Sequence, residues 1–268
     1  MAFSTDYSNR SAFSLVELSI VLVILGLLVG GALAGRSLIQ AAELRSVHTE
    51  HTRYAAAVQT FRDKYFIIPG DMTNATAIWG TASGGCPTGA RSGTQTCNGN
   101  GDGLLTVAQQ EHFLFWQHLA NAGLIEGSFS GRSGPSWPEN DWIIGINAPG
   151  SKLSNGIWVV YRFTSFMSGD SGALDDPGIW FDGNYGNFYT LGGSRDPSST
   201  IMGQTLITPK DLWNMDTKLD DGKPGAGKVM AYNYSTCTTA TASSQTTTAA
   251  YALTNNSVQC IAIFPNAF

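Results

Sequence analysis

One stretch constrains this chain more than any other. Residues 13–35 read FSLVELSIVLVILGLLVGGALAG, 23 positions of which 16 are hydrophobic and one, Glu17, is charged. A helix of that length rises about 34 Å, enough to cross the hydrocarbon core of a bilayer. Three readings fit it. It can be a secretory signal peptide, with Arg10 in a polar lead-in and Ala32-Leu33-Ala34 as a small-x-small cleavage site, so that cutting after Ala34 releases a secreted binding protein or hydrolase. It can be a plain membrane anchor. It can also be a dual-purpose helix, an anchor first and a packing element of a polymer later. Glu17 bears on the choice: an ionised carboxylate in hydrocarbon costs about 2.5 kcal/mol or more, so an acid five residues into an apolar run marks a function that a signal peptide or anchor does not need.

The pattern does not stop at Gly35. Leu44, Val47, His51, Tyr54, Val58, Phe61 and Tyr65 recur at spacings of three and four, and no proline interrupts the chain until Pro69. The spacing predicts a continuous helix over residues 14–65, half suited to lipid and half docked on the C-terminal part of the chain. Residues 36–66 carry net charge +2, whereas residues 67–268 carry nine basic and fifteen acidic side chains, net −6. An acidic chain of net −5 offers no basic face for phosphates, so nucleic acid is set aside as a partner. Charged residues make up 13% of the chain and 31 residues are glycine, which points to a neutral, Gly/Ser/Thr/Asn-faced surface.

Ser11-Ala12-Phe13-Ser14-Leu15-Val16-Glu17-Leu18, with the apolar run behind it, resembles the leader and cleavage/methylation motif of type IV pilins and type II secretion pseudopilins. The resemblance covers residues 10–66. It implies that a prepilin peptidase cuts the Ala12–Phe13 bond and methylates the new Phe13 terminus. It also implies that Glu17 neutralises the terminal ammonium of a neighbouring subunit, which makes a buried carboxylate tolerable. Two departures stand out: the family usually has Gly where this chain has Ala12, still a small residue, and many members have proline where this chain has Ala34. Implied partners are other pilin or pseudopilin subunits, an inner-membrane assembly platform with its ATPase, and the lipid bilayer before assembly. The implied location is a single pass through the inner membrane with a periplasmic head, then a pilus or pseudopilus filament.

The expected organisation is a leader (1–12), a transmembrane and stem helix (13–66) and a head (67–268). Within the head, Pro69-Gly70 ends the long helix. Residues 106–122 read as a helix with a Thr106/Gln109 capping box and a Gly123-Leu124 stop, and 208–219 as a helix opened by Thr208-Pro209. Residues 142–146, 157–163, 187–191, 228–234 and 258–264 read as strands. The fold class is therefore α+β: a long N-terminal helix packed on an antiparallel sheet.

Four cysteines allow three pairings. For a chain translocated into an oxidising compartment, the sequential pairing of Cys86 with Cys97 and Cys237 with Cys260 is favoured. Asn98, Asn100, Asp102 and Thr106 present oxygens at spacings that suit a calcium loop, although Gln109 stands where a bidentate acid belongs; a plain Asn/Gly turn is the alternative, and no cofactor is required. Asp216, Asp220 and Asp221 form a second acidic cluster. The enzymatic signals fail: in GKPGAGK (222–228) Val229 replaces the Ser/Thr a phosphate loop needs, His48, His51, His112 and His118 lack a ligand set, and Ser165, Ser168 and Ser171 have no nucleophile-elbow context. A structural subunit, not an enzyme, is the expectation.

Overall fold

A computed structural model describes residues 14–87, 89–106, 109–134, 142–163, 181–193, 204–232, 236–241 and 245–268, without the side chains of Ser37 and Phe163. The chain divides into two units, Met1–Glu43 and Leu44–Phe268. Helix α1, Leu15–Tyr65, contributes to both. By length and composition it is able to cross a membrane, and its most apolar stretch finds no cover among the described residues. From Leu44 on, the expected stripe turns inward: Val47, Tyr54, Val58 and Phe61 are buried, and Leu44 and Tyr65 pack against the same core. The helix stops where Phe66 takes a left-handed φ of 60° and its N–H closes on the Arg62 carbonyl at 2.8 Å. At Gly70, φ is +90° and a Cβ would run into the Glu111 carbonyl, so the turn leaving α1 requires glycine.

The second unit is α+β. A short helix α2, Ala75–Trp79, is followed by α3, Glu111–Asn121, and α4, Pro209–Leu219. Strands β1 (Gly156–Phe163), β2 (Gly186–Gly193), β3 (Met230–Ala231) and β4 (Ala262–Phe264) form one antiparallel sheet in the order β1-β2-β4-β3. Tyr161 stands opposite Phe188, and Thr190 opposite Ile263. The core is aromatic: Tyr54 of α1 lies edge-on to Trp116 of α3 at 5.0 Å, and His51 stacks on Phe264 of β4 at 4.5 Å.

Several local expectations are corrected. The third helix begins at Glu111, five residues later than expected, and the Thr106/Gln109 capping box does not form. Its N-cap is Gln110, left-handed at φ 58° with no side-chain cap, while Glu111 accepts from both the backbone N–H and the hydroxyl of Thr106. The stop does form: Leu124 N–H reaches the Leu119 carbonyl and Gly123 N–H the Ala120 carbonyl, a Schellman pair around a glycine at φ 72°. Residues 142–146 make a turn rather than a strand. Gly145 is left-handed there, and Asn147 accepts from Ile143 N–H at 2.7 Å, folding the run back on itself. The expected strands at 228–234 and 258–264 shrink to β3 and β4, with residues 233–235 outside the described residues. Helix α2 has no counterpart among the sequence expectations, because five residues are too few to carry a periodic signal.

Candidate functional site

The first candidate is the start of α1. Ala12 and Phe13 lie outside the described residues. Ser14 and Glu17 close a reciprocal cap: the Ser14 hydroxyl accepts from Val16 N–H at 3.3 Å, and the Glu17 carboxylate turns back to accept from Ser14 N–H at 2.9 Å. The acid therefore sits at the positive end of the helix dipole, beside the residue that follows Phe13. Around it the helix is apolar and open, with Leu15 85% and Leu27 72% exposed. A contiguous apolar surface of this extent requires lipid or protein to cover it.

In the head, the residues suggested for calcium bind the chain itself. Asn98 accepts from Thr76 N–H, Asn100 accepts from Asp102 N–H, Asp102 accepts from Leu104 N–H, and the Thr106 hydroxyl donates to Glu111. Two acids outside the candidate ligand set organise this loop, Asp71 and Glu111, the latter two residues past the position where the calcium pattern wants its acid. Asp71 accepts from Gly101 and Gly103 N–H, and Glu111 accepts from Asn100 and Thr106 N–H. Burial pushes both carboxyls above their ordinary range, against the pull of those donors. For Asp71, only its adjacency to Pro69-Gly70 hints at such a role in the sequence.

Asp216, Asp220 and Asp221 do come together, with ligand oxygens within 4.8 Å of one another. Their neighbours are the N–H groups of the glycine-rich run that mimics a phosphate loop: Asp216 accepts from Gly222, Asp221 from Lys223 and Asp220 from Lys228. Carboxylates thus occupy donors that a phosphate would have needed. Asp216 also accepts from the Tyr251 hydroxyl at 2.8 Å, and burial pushes its carboxyl up to about 6.

Three of the four histidines, His51, His112 and His118, pack among aromatic side chains. His118 accepts from Gly70 N–H at Nδ1, so its proton is on Nε2, facing the Thr96 hydroxyl at 3.0 Å; burial pulls it down to about 3. His112 is fully buried among Phe113, Trp142 and Tyr161, and His51 is pulled down to about 4 by burial and by His48. Glu50 fixes the docked half of α1. It accepts from the Ser151 hydroxyl at 2.6 Å, Lys152 N–H at 2.8 Å and the Trp158 indole N–H at 2.8 Å. A carboxylate inside the apolar stripe, three residues after Val47 and four before Tyr54, is its sequence signal. Ser165, Ser168 and Ser171 lie outside the described residues.

The structure pairs Cys86 with Cys97 and Cys237 with Cys260, and no free cysteine remains. The second bridge closes the Thr/Ser-rich loop, where Tyr251 reaches Asp216.

Residues 7–33 match the protein-family model described as the prokaryotic N-terminal methylation motif. No curated protein and no solved structure matches the chain. The methylation motif followed by a long apolar helix, on an α+β head, fits the type IV pilin and pseudopilin pattern.

Proposed function

We propose that this chain, which carries a prepilin-type methylation motif at residues 7–33, is a structural subunit of a type IV pilus or a type II secretion pseudopilus. The observation that carries the reading is the coincidence of that motif with a helix whose first half is apolar, long enough to span a bilayer and uncovered by the described residues. The precursor sits in the inner membrane, leader inside and head outside. Prepilin peptidase cuts Ala12–Phe13 and methylates Phe13. An assembly platform and its ATPase then transfer α1 from lipid into a bundle of like helices, where Glu17 meets the Phe13 amine of a neighbour. Because that contact joins different surfaces of two subunits and does not close, it grows a filament. A head of about 200 residues (67–268) suits a minor pilin, a pseudopilin or a large-headed pilin.

The intact mass and N-terminal sequence of the mature protein test this. A methylated Phe13 terminus is expected. A terminus at Gly35 would show signal-peptidase release and overturn the reading in favour of a secreted protein.

A further inference from the structure

The two disulfides are built differently. Cys237 and Cys260 are both fully buried. In the other pair Cys86 is an exposed residue, its sulfur 3.9 Å from the Thr96 carbonyl, while Cys97 is only 1% exposed, so the solvent side of this bridge is the Cys86 side. Arg91, inside the loop that this bridge closes, places Nη2 3.2 Å from the Cys97 sulfur. Its other partners are neutral: Nη2 donates to the Pro87 carbonyl at 2.7 Å and Nη1 to the Ser130 carbonyl at 2.9 Å, while Nε is buried with no partner among the described residues. None of these contacts is a carboxylate. Burial and the nearby Arg132 pull the guanidinium down to about 10, which leaves it cationic at neutral pH. A half-buried cation whose described contacts are all neutral, held against a buried sulfur, is an environment that stabilises negative charge on that sulfur.

We propose that Cys86–Cys97 is a thiol-exchange site, in which an external thiolate attacks the Cys86 sulfur and Cys97 leaves as a thiolate held by Arg91. In the first step a bond forms between the attacking sulfur and Cys86 Sγ, the Cys86–Cys97 bond breaks, and its electron pair goes to Cys97. The product is a mixed disulfide on Cys86, with no net oxidation. A second thiolate attacks the external sulfur of that mixed disulfide and expels Cys86, which takes up a proton. Two external thiols are thereby oxidised to one disulfide and the protein bridge is reduced by two electrons. Run backwards with a disulfide-bearing oxidoreductase as oxidant, the same steps close the bridge. The partner class is a small thiol or a dithiol protein. Leaving-group acidity sets the rate of such exchange, so the cation beside Cys97 favours this bridge over Cys237–Cys260.

The test uses the full-length chain in detergent with reduced glutathione as the probe, acid quenching, alkylation and peptide mass mapping. The expected products are glutathione on Cys86, a free Cys97 and an intact Cys237–Cys260 bridge. Glutathione on Cys97, equal opening of both bridges, or no adduct on the folded chain would each overturn the proposal. Arg91→Gln is expected to slow opening about three- to tenfold and to shift the pH profile of Cys97 alkylation upward; an unchanged rate and profile would remove Arg91 from the site. Because Arg91 also ties down Ser130, Arg91→Lys, which keeps the cation, is the paired variant, and the position of the adduct on the unaltered chain decides the matter even where neither variant folds.

Discussion

The two halves of α1 follow the same backbone rules and serve different solvents. Residues 15–39 present Leu, Val and Ile on every side, with Leu28 63% exposed, whereas Phe61 in the docked half is fully buried. A helix that is apolar all round belongs in lipid or in a bundle of its own kind; one with a single apolar stripe belongs on a globular core. Each half also has one acid within its apolar surface. Glu17 holds a backbone N–H of its own helix end, while Glu50 is consumed by three donors from the loop and strand beside it. The docked half has therefore spent its acid on tying the helix to the loop and strand beside it, while the acid of the N-terminal half caps its own helix end and lies on an exposed apolar surface.

The sharpest way to break that contrast is to truncate one large side chain in each half. Phe61→Ala should destabilise the head by about 3–5 kcal/mol, the cost of emptying a fully buried aromatic site. Leu28→Ala should leave head unfolding unchanged. Thermal denaturation of the full-length chain in detergent, followed by near-ultraviolet circular dichroism of the aromatic core, measures both. A comparable loss from Leu28→Ala would mean that the first half is part of the head's core after all.

The acids give the next test. Glu50→Ala strands the buried Trp158 indole and two further donors and should cost about 3 kcal/mol of head stability. Glu17→Ala should leave the head's melting unaltered and the protein stable in the membrane, but block its incorporation into filaments. Filaments assembled normally from Glu17→Ala would remove the charge-neutralising role.

How far these features are legible in the sequence depends on range. The whole of α1 can be read, because the unbroken apolar run of its first half and the stripe at spacings of three and four in its second are local properties, and no proline interrupts either. So can the Thr208-Pro209 helix start, where Thr208 accepts from Asp211 N–H, and the glycine stop at Gly123. Features set by distant partners cannot be read. Thr106 has Gln109 three residues on, but Glu111 wins its hydroxyl because that carboxylate is buried and also has to satisfy Asn100. The run 142–146 looks like a strand until Asn147 folds it over Gly145, and a glycine inside an apolar run is the warning. Arg91 gives no sequence signal; its meaning comes from a sulfur six residues away and a carbonyl thirty-nine residues away.

The smallest expected effect concerns pH and belongs to the head, on which the docked half packs and where an acid titrates from a buried site. Asp216 lies against Tyr251, Gly222, Asp220 and Asp221, and its carboxyl is pushed up to about 6 by burial, with the two neighbouring acids adding to the shift. An acid whose pKa is higher folded than unfolded favours folding only while protonated. Its contribution is complete below the unfolded value of about 3.9 and is lost as pH rises through about 6. Asp216→Asn, which removes the charge and keeps an oxygen for Tyr251, should therefore stabilise the head by about 1–2 kcal/mol at pH 7.5, the gain shrinking to nothing by pH 4. Urea unfolding of both proteins across that range measures it. A gain that grew toward low pH would mean that Asp216 is ionised and favourably paired in the folded head, and the acidic cluster would then have to be read as a stabilising feature rather than a strained one.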